Sequence, residues 1–382
     1  MTQRLPDAPV LSPRALGRAL LARQHLLERS TAAPAAMVAH LIGLQAQAAP
    51  QPPYLGLWSR LASFAPGQLT ELIERREVVR TALQRGTIHL VTADDCLTLR
   101  PLLQPVLDQA LRTAYGRRLT GIDLDAVASE GRALVEEQPR TFQHLGALLA
   151  ESRPGADPAA LAQAVRSRLT LVQVPPRGVW GHGGPAAHTT AEHWLGRRPD
   201  PSPSLERTVL RYLAAFGPAT ATDVQKWCGL TRLGPVLAAL APQLATFRDE
   251  RGRLLYDLPD APRPPAATPA PVRLVAPFDN LLLSHADRSR ILPEEYRPRL
   301  MTVNGQIPGA LLVDGSVAGS WELTEHRAGR GGRTGDGTPL VRVRPYAPLS
   351  QRDAAGAEAE AGRLLEFAGR GGEIRIERPE GT

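Results

Sequence analysis

The sequence predicts an α+β chain built from three units, each a set of helices closed by a β-hairpin, with a β-rich segment behind them. Three observations lead there. Amphipathic runs of helical period recur, and each set is followed by a strand, a turn and a second strand. The recurrence, at a spacing of about a hundred residues, is too long for a solenoid and fits tandem domains. A proline-rich stretch, residues 259–271, then separates the three units from a tail of short apolar strands. At 382 residues the chain is also too long for one ordinary core.

In the first unit, helices are expected over residues 12–29, 33–47, 53–61 and 66–76. Strands over 79–83 and 87–91 then flank a turn, Gln84-Arg85-Gly86. Asp94-Asp95 reads as the acidic N-cap of a helix over 96–115. The second unit repeats the order with helices at 124–137, 141–151 and 157–169, a strand at 170–174, a turn through Pro175-Pro176-Arg177-Gly178, and a return strand at Val179-Trp180. In the third, the amphipathic helix 205–216 is stopped by Gly217-Pro218. Helices to Cys228 and over 231–240 follow, and strands 244–248 and 253–258 enclose Asp249-Glu250-Arg251-Gly252. Three helices followed by a ribbon is the order of a winged helix. The expected domains are therefore three tandem winged helices, 1–97, 98–200 and 201–262, and a β-rich, barrel-like domain, 270–382. In that last domain, strands are expected at 272–276, 309–313, 315–322, 340–344 and 373–376, with a helix at 353–368. The insertion 326–339, nearly all Gly and Arg, should be a mobile loop.

The net charge of +7 favours an acidic partner. Lys226 is the only lysine, but a GC-rich coding bias would also enrich arginine, so the net charge is the safer signal. Cys96 and Cys228 lie far apart with no CxxC and no histidines at ligand spacing. Neither a zinc site nor a disulfide framework is suggested, and no metal or cofactor is expected. No signal-peptide core occupies the first 24 residues and no run reaches transmembrane length, so a soluble, cytoplasmic protein is expected.

The most informative stretch is Leu44-Gln45-Ala46-Gln47-Ala48, two carboxamides one residue apart at the end of an apolar run. A buried amide without partners costs a few kcal/mol, so a polar group should sit opposite. Capping a helix end or bonding to loop backbone is the plainer role. Carboxamides do not titrate near neutral pH, which excludes general acid or base work, but they can hold a water and aim it at an electrophilic carbon. That suffices where the leaving group departs readily. An N-glycosidic bond to a cationic, N7-alkylated purine meets the condition, because the base leaves neutral without an acid, and amide dipoles can stabilise the oxocarbenium-like sugar.

Three segments carry a resemblance: 43–48 with the two glutamines, 79–90 around the first hairpin turn, and 277–290, which begins Pro277-Phe278-Asp279-Asn280. In order and spacing they resemble the winged-helix DNA-binding-domain family that contains the AlkZ-type DNA glycosylases. The resemblance implies three winged helices around a duplex, a barrel-like C-terminal domain, and excision of N7-alkylated purines, including unhooking of interstrand crosslinks. It also implies that a Gln-x-Gln motif is catalytic, which carries over to Gln45 and Gln47. A related branch has Asp at the second position; this chain does not.

Around that pair, Arg85, Thr87 and His89 stand on and after the first turn and are candidate DNA contacts. Arg177 and His182 are candidates in the second hairpin, ahead of Trp180, which is more often core. Arg251 and Arg253 are candidates on the third, and Arg288 beyond it. Asp279 is the best carboxylate for catalytic support, although bonding to backbone or to Arg288 is its more ordinary job. A strand-cleaving glycosylase needs an amine, and only Lys226 or the N-terminus supplies one, so a monofunctional enzyme leaving an abasic site is expected. The expected partner is double-stranded DNA with alkylated purines, gripped by a monomer associated with the nucleoid. The alternative is a non-enzymatic winged-helix DNA-binding protein, regulatory or structural, although a regulator would ordinarily add a dimerisation domain. A metal-dependent nuclease is disfavoured, since no Asp, Glu and His cluster has ligand spacing.

Overall fold

A computed structural model describes residues 8–47, 51–301, 305–326, 338–369 and 371–379. The first helix, Pro13–Arg23, is capped by Ser12, whose hydroxyl accepts from the Ala15 N–H at 3.2 Å. It stops well before residue 29 because His25 takes a left-handed φ of 53°. The next helix, Pro34–His40, also ends early, since Ile42 and Gly43 turn left-handed with φ of 53° and 91°. Gln45 therefore lies on a short strand, Leu44–Gln45, and not on a helix. Helices Gln51–Arg60 and Pro66–Glu74 and the antiparallel pair Val78–Ala82 and Ile88–Thr92 complete the unit near the expected positions.

Thr92 caps the following helix, two residues before the expected aspartates, accepting from the Asp95 N–H at 3.1 Å. That helix, Ala93–Leu102, breaks at Leu103, between Pro101 and Pro105, before Gln104–Tyr115. One continuous helix was expected; the prolines divide it. Helices Leu124–Glu137, Phe142–Glu151 and Pro158–Arg168 follow the sequence pattern. Strand Leu171–Gln173, however, pairs with Ala187–Thr190, not with Val179-Trp180. The connection between them is correspondingly longer than the expected four-residue turn.

The hairpins of the first two units are joined edge to edge. Arg80 faces Gln173 and Thr81 faces Val172 in antiparallel register. One six-stranded sheet results, in the order Leu44–Gln45, Ile88–Thr92, Val78–Ala82, Leu171–Gln173, Ala187–Thr190, Arg140–Thr141. The third unit has helices Leu205–Phe216, Ala221–Cys228 and Gly234–Leu240, and the strand pair Ala245–Asp249 and Leu254–Asp257. Val10–Leu11 extends that pair in parallel.

The C-terminal strands Arg273–Val275, Gly309–Val313, Ser316–His326, Thr338–Pro345 and Glu373–Ile376 form a five-stranded sheet in sequence order. It is open, which corrects the barrel-like expectation. Closure is unnecessary because helix Gln351–Phe367 covers one face, with Ala357, Ala361 and Leu364 packed against Leu274, Val341 and Val343. The expected mobile loop falls mostly on residues 327–337, outside the described residues.

A core around Tyr212, Phe216 and Trp227 of the third unit takes in Leu20 and Leu26 from the first and Leu281 and Leu292 from the C-terminal region. Buried ions tie the same parts together: Arg23 holds Asp257 with contacts of 2.6 and 2.8 Å, and Arg60 holds Asp279 with contacts of 2.8 and 2.7 Å. Among the described residues no helix is long and apolar enough to cross a membrane.

Candidate active site

The segment bearing the two glutamines is fixed at almost every residue. After the helix ends, the Gly43 N–H returns to the Val38 carbonyl at 3.0 Å. Ile42 is β-branched, and its left-handed φ is strained. Gly43 carries no such penalty, and a Cβ there would meet Val91 Cγ1 at 2.5 Å. Two buried carboxamides hold the carbonyls of this turn: Gln84 Nε2 donates to Ile42 O at 3.0 Å, and Asn280 Nδ2 to Gly43 O at 3.2 Å. The Ala46 N–H then donates to Ile88 O at 2.7 Å, and Arg80, reaching across the sheet, donates to Ala46 O at 2.8 Å.

Gln45 is buried and lies opposite His89 in the strand register. Its Oε1 accepts from Arg85 Nη2 at 2.7 Å. Arg85 occupies the tight turn with φ 57° and also donates to Trp227 O at 2.6 Å and to Asn280 Oδ1 at 3.3 Å. Burial pushes its pKa down to about 10, so it remains a cation at neutral pH. Gln47 is exposed, and its Oε1 accepts from the Ile88 N–H at 3.2 Å. Both carboxamide oxygens are thus bound to donors, which fixes which end of each amide is oxygen. Neither amide nitrogen has a partner among the described residues. The polar group opposite Gln45 is a guanidinium, and the one opposite Gln47 is a backbone N–H.

Residues 38–367 match the sequence profile of the family described as DNA glycosylase AlkZ-like. The chain belongs to the AlkZ-like family. The interstrand DNA cross-link repair glycosylase of Streptomyces sahachiroi is 26% identical over 381 residues, spanning 91% of this chain and 94% of that protein. The solved structure of the Streptomyces sahachiroi DNA glycosylase AlkZ shares the fold, with a TM-score of 0.76 at 20% identity, over 96% of this chain and 100% of that one.

In this AlkZ-like chain Asp279 is far from a free base. It is 4% exposed, caps helix Asn280–Leu283 by accepting from the Leu281 N–H at 2.8 Å, and receives both arms of Arg60. The expected partner, Arg288, instead donates to Met301 Sδ at 2.6 Å. With both oxygens engaged and solvent excluded, Asp279 ties helix Gln51–Arg60 to the C-terminal region. The neighbouring Asn280 reaches Gln45 through Arg85, accepting from the same guanidinium nitrogen that bonds Gln45 Oε1, and sequence reading passed it over. Arg80 and Gln84 were missed in the same way. All three stand within the resembling segments, but nothing in their spacing reveals an inward side chain.

The candidate DNA contacts divide by burial. His89 is fully buried, with Nδ1 against Thr87 O at 3.1 Å, and cannot face a duplex in this arrangement. Arg85 turns inward to Gln45, and Thr87 closes its own turn by donating to Gln84 O at 3.1 Å. Arg177 is half-buried and donates to Gly184 O at 2.8 Å. His182 is exposed on the same loop, while Trp180 packs against Tyr54 and Phe367. Arg251 and Arg253 are exposed but both pair with Asp287, and Arg253 also pairs with Asp249 at 2.6 Å.

Among the described residues no cluster of three His, Cys, Asp or Glu is placed to hold a metal. Burial pushes the thiols of Cys96 and Cys228 up to about 12 and about 11, so neither is a nucleophile at neutral pH. Burial, with Arg85 second, pushes His89 down to about 3, and burial pushes His188 down to about 4. An unfolded histidine takes up its proton near 6.5. Between that value and about 4, the unfolded chain binds protons that the folded chain refuses, so stability falls as pH drops. A lower melting temperature at about pH 5 than at about pH 7.5 is the expected calorimetric result.

Proposed function

We propose that this chain is a monofunctional DNA glycosylase that hydrolyses the N-glycosidic bond of N7-alkylated purines, interstrand crosslinks included, and leaves an abasic site. The observation that carries the reading is the Gln45 and Gln47 pair, held by its oxygens in a rigid segment and flanked by groups that do not titrate near neutral pH. The C1′–N9 bond breaks with its electron pair passing to the cationic purine, which leaves neutral. Water adds to C1′ and releases its extra proton to solvent. The amide nitrogens hold that water by its oxygen, and the second lone pair of each amide oxygen orients its protons and stabilises the sugar cation.

The name of the Streptomyces sahachiroi relative, an interstrand DNA cross-link repair glycosylase, supports this choice of substrate. Lys226 is exposed on helix Ala221–Cys228 and bonds to neither glutamine, which supports departure without an amine intermediate. The three helix-and-hairpin units act as winged helices that grip one duplex as a monomer, in the cytoplasm and on the nucleoid. Exposed His182 and Arg251 lie at two of the hairpin loops.

The test is base release from a duplex carrying a single N7-alkylguanine, with abasic sites scored by alkaline cleavage. Excision insensitive to chelators, and flat between about pH 6 and about pH 9, is the expected result. A bell-shaped profile in that range would point to an acid or a base instead. Binding without excision on monoadducts and crosslinks alike would favour a DNA-binding protein without this activity.

A further inference from the structure

The two amide oxygens are bound differently. Gln47 takes a backbone N–H of the adjacent strand, an ordinary extension of sheet pairing. Gln45 takes a half-buried cation whose three hydrogen bonds among the described residues each go to a different part of the chain. From Gly43 O the chain of hydrogen bonds runs to Asn280 Nδ2, from Asn280 Oδ1 to Arg85 Nη2, and from Arg85 Nη2 to Gln45 Oε1. It begins and ends on the segment Gly43-Leu44-Gln45, so it is a closed ring. Its members are buried or half-buried, and Trp227 O anchors the other arm of Arg85 at 2.6 Å.

We infer that Arg85 and Asn280 are positioning residues for Gln45, fixing its amide with the oxygen turned inward and the nitrogen presented to the reacting centre. The inference rests on the proposed role of Gln45. An unrestrained glutamine has three side-chain torsions, and its amide can present either end. A donor bound to Oε1 removes that choice, because the reversed amide would set an N–H₂ against a guanidinium. Asn280 fits the ring for the same reason that Asp would not: it must accept from Arg85 while donating to a carbonyl. It also steadies the strained turn from which Gln45 leaves, so Asn280 acts on the backbone at Gly43 and, through Arg85, on the side chain of Gln45. Misplacement of a catalytic group by an ångström can cost about a hundredfold in rate without touching binding.

The experiment is a double-mutant cycle on single-turnover base release from a duplex with one N7-methylguanine, with duplex affinity measured in parallel. Arg85→Met and Asn280→Ala are made in the wild type and in Gln45→Ala. Each is expected to slow release about tenfold to a hundredfold while affinity stays within about twofold. Each should cost nothing further once Gln45 is gone. Equal losses in both backgrounds would overturn the inference and leave Gln45 as a site residue, as would a loss confined to affinity. Release at the wild-type rate by Gln45→Ala would overturn the inference together with the reading of the pair. If Arg85→Met fails to fold, Asn280→Ala, which keeps the half-buried cation, carries the same cycle.

Discussion

Replacing Gln45 or Gln47 by alanine is expected to lower the rate of base release about 10²- to 10³-fold at unchanged duplex affinity. That is the usual effect of removing one preorganised polar group from a reacting centre, and here the group positions the attacking water. Little refolding should accompany the loss. Gln47 is exposed, and truncating Gln45 leaves Arg85 its bonds to Trp227 O and Asn280 Oδ1. Gln45→Glu separates the two ends of the amide. The carboxylate keeps its partner Arg85 and removes the N–H₂, so it should be as slow as alanine if the nitrogen does the work. Single-turnover kinetics across the three variants decides the matter, and wild-type rates in both alanine variants would remove the pair from the mechanism.

The second large effect is on stability. Arg60→Met leaves the Asp279 carboxylate buried with its guanidinium partner gone and frees the Gln24 Oε1 that Arg60 holds at 2.9 Å. Stranding one member of a buried pair typically costs about 3–5 kcal/mol. Both side chains are only 1% exposed, so solvent screening offers little relief. Scanning calorimetry should show a marked fall in melting temperature. The double variant Arg60→Met with Asp279→Leu should recover much of it, since an apolar pair of similar volume often replaces a buried ion pair at little cost. If Arg60→Met melts like the wild type, the pair is not a structural tie.

Much of this was legible in the sequence, and the parts that were not share a cause. Helices such as Leu124–Glu137 and Leu205–Phe216 stand where their apolar period places them, because a long amphipathic run admits one reading. The end of the helix at His40 was not legible. It depends on Ile42 accepting a left-handed conformation against its own preference, held by Gln84 and Asn280 from distant segments. The pairing of Arg80 with Gln173 was equally hidden, since nothing local marks which strand edge another unit will occupy.

For the site, the amide pair and the need for a polar group opposite it could be read from residue types alone. Which group it is could not. Thr87 and His89 looked like an outward face by strand alternation, but His89 is fully buried, Thr87 closes its turn on Gln84 O, and Arg85 reaches Trp227 of the third unit. Arginine in a basic chain suggests phosphate; here one arginine serves a carboxamide.

The sheet shared by the first two units bears on how this chain can be taken apart. A cut at the sequence-level boundary after residue 97 would bare Val78–Ala82 on one fragment and Leu171–Gln173 on the other, each a raw strand edge with unsatisfied backbone groups. Such edges recruit strands from other molecules. Isolated halves would therefore be sticky and prone to aggregate, so the first two units are one structural module.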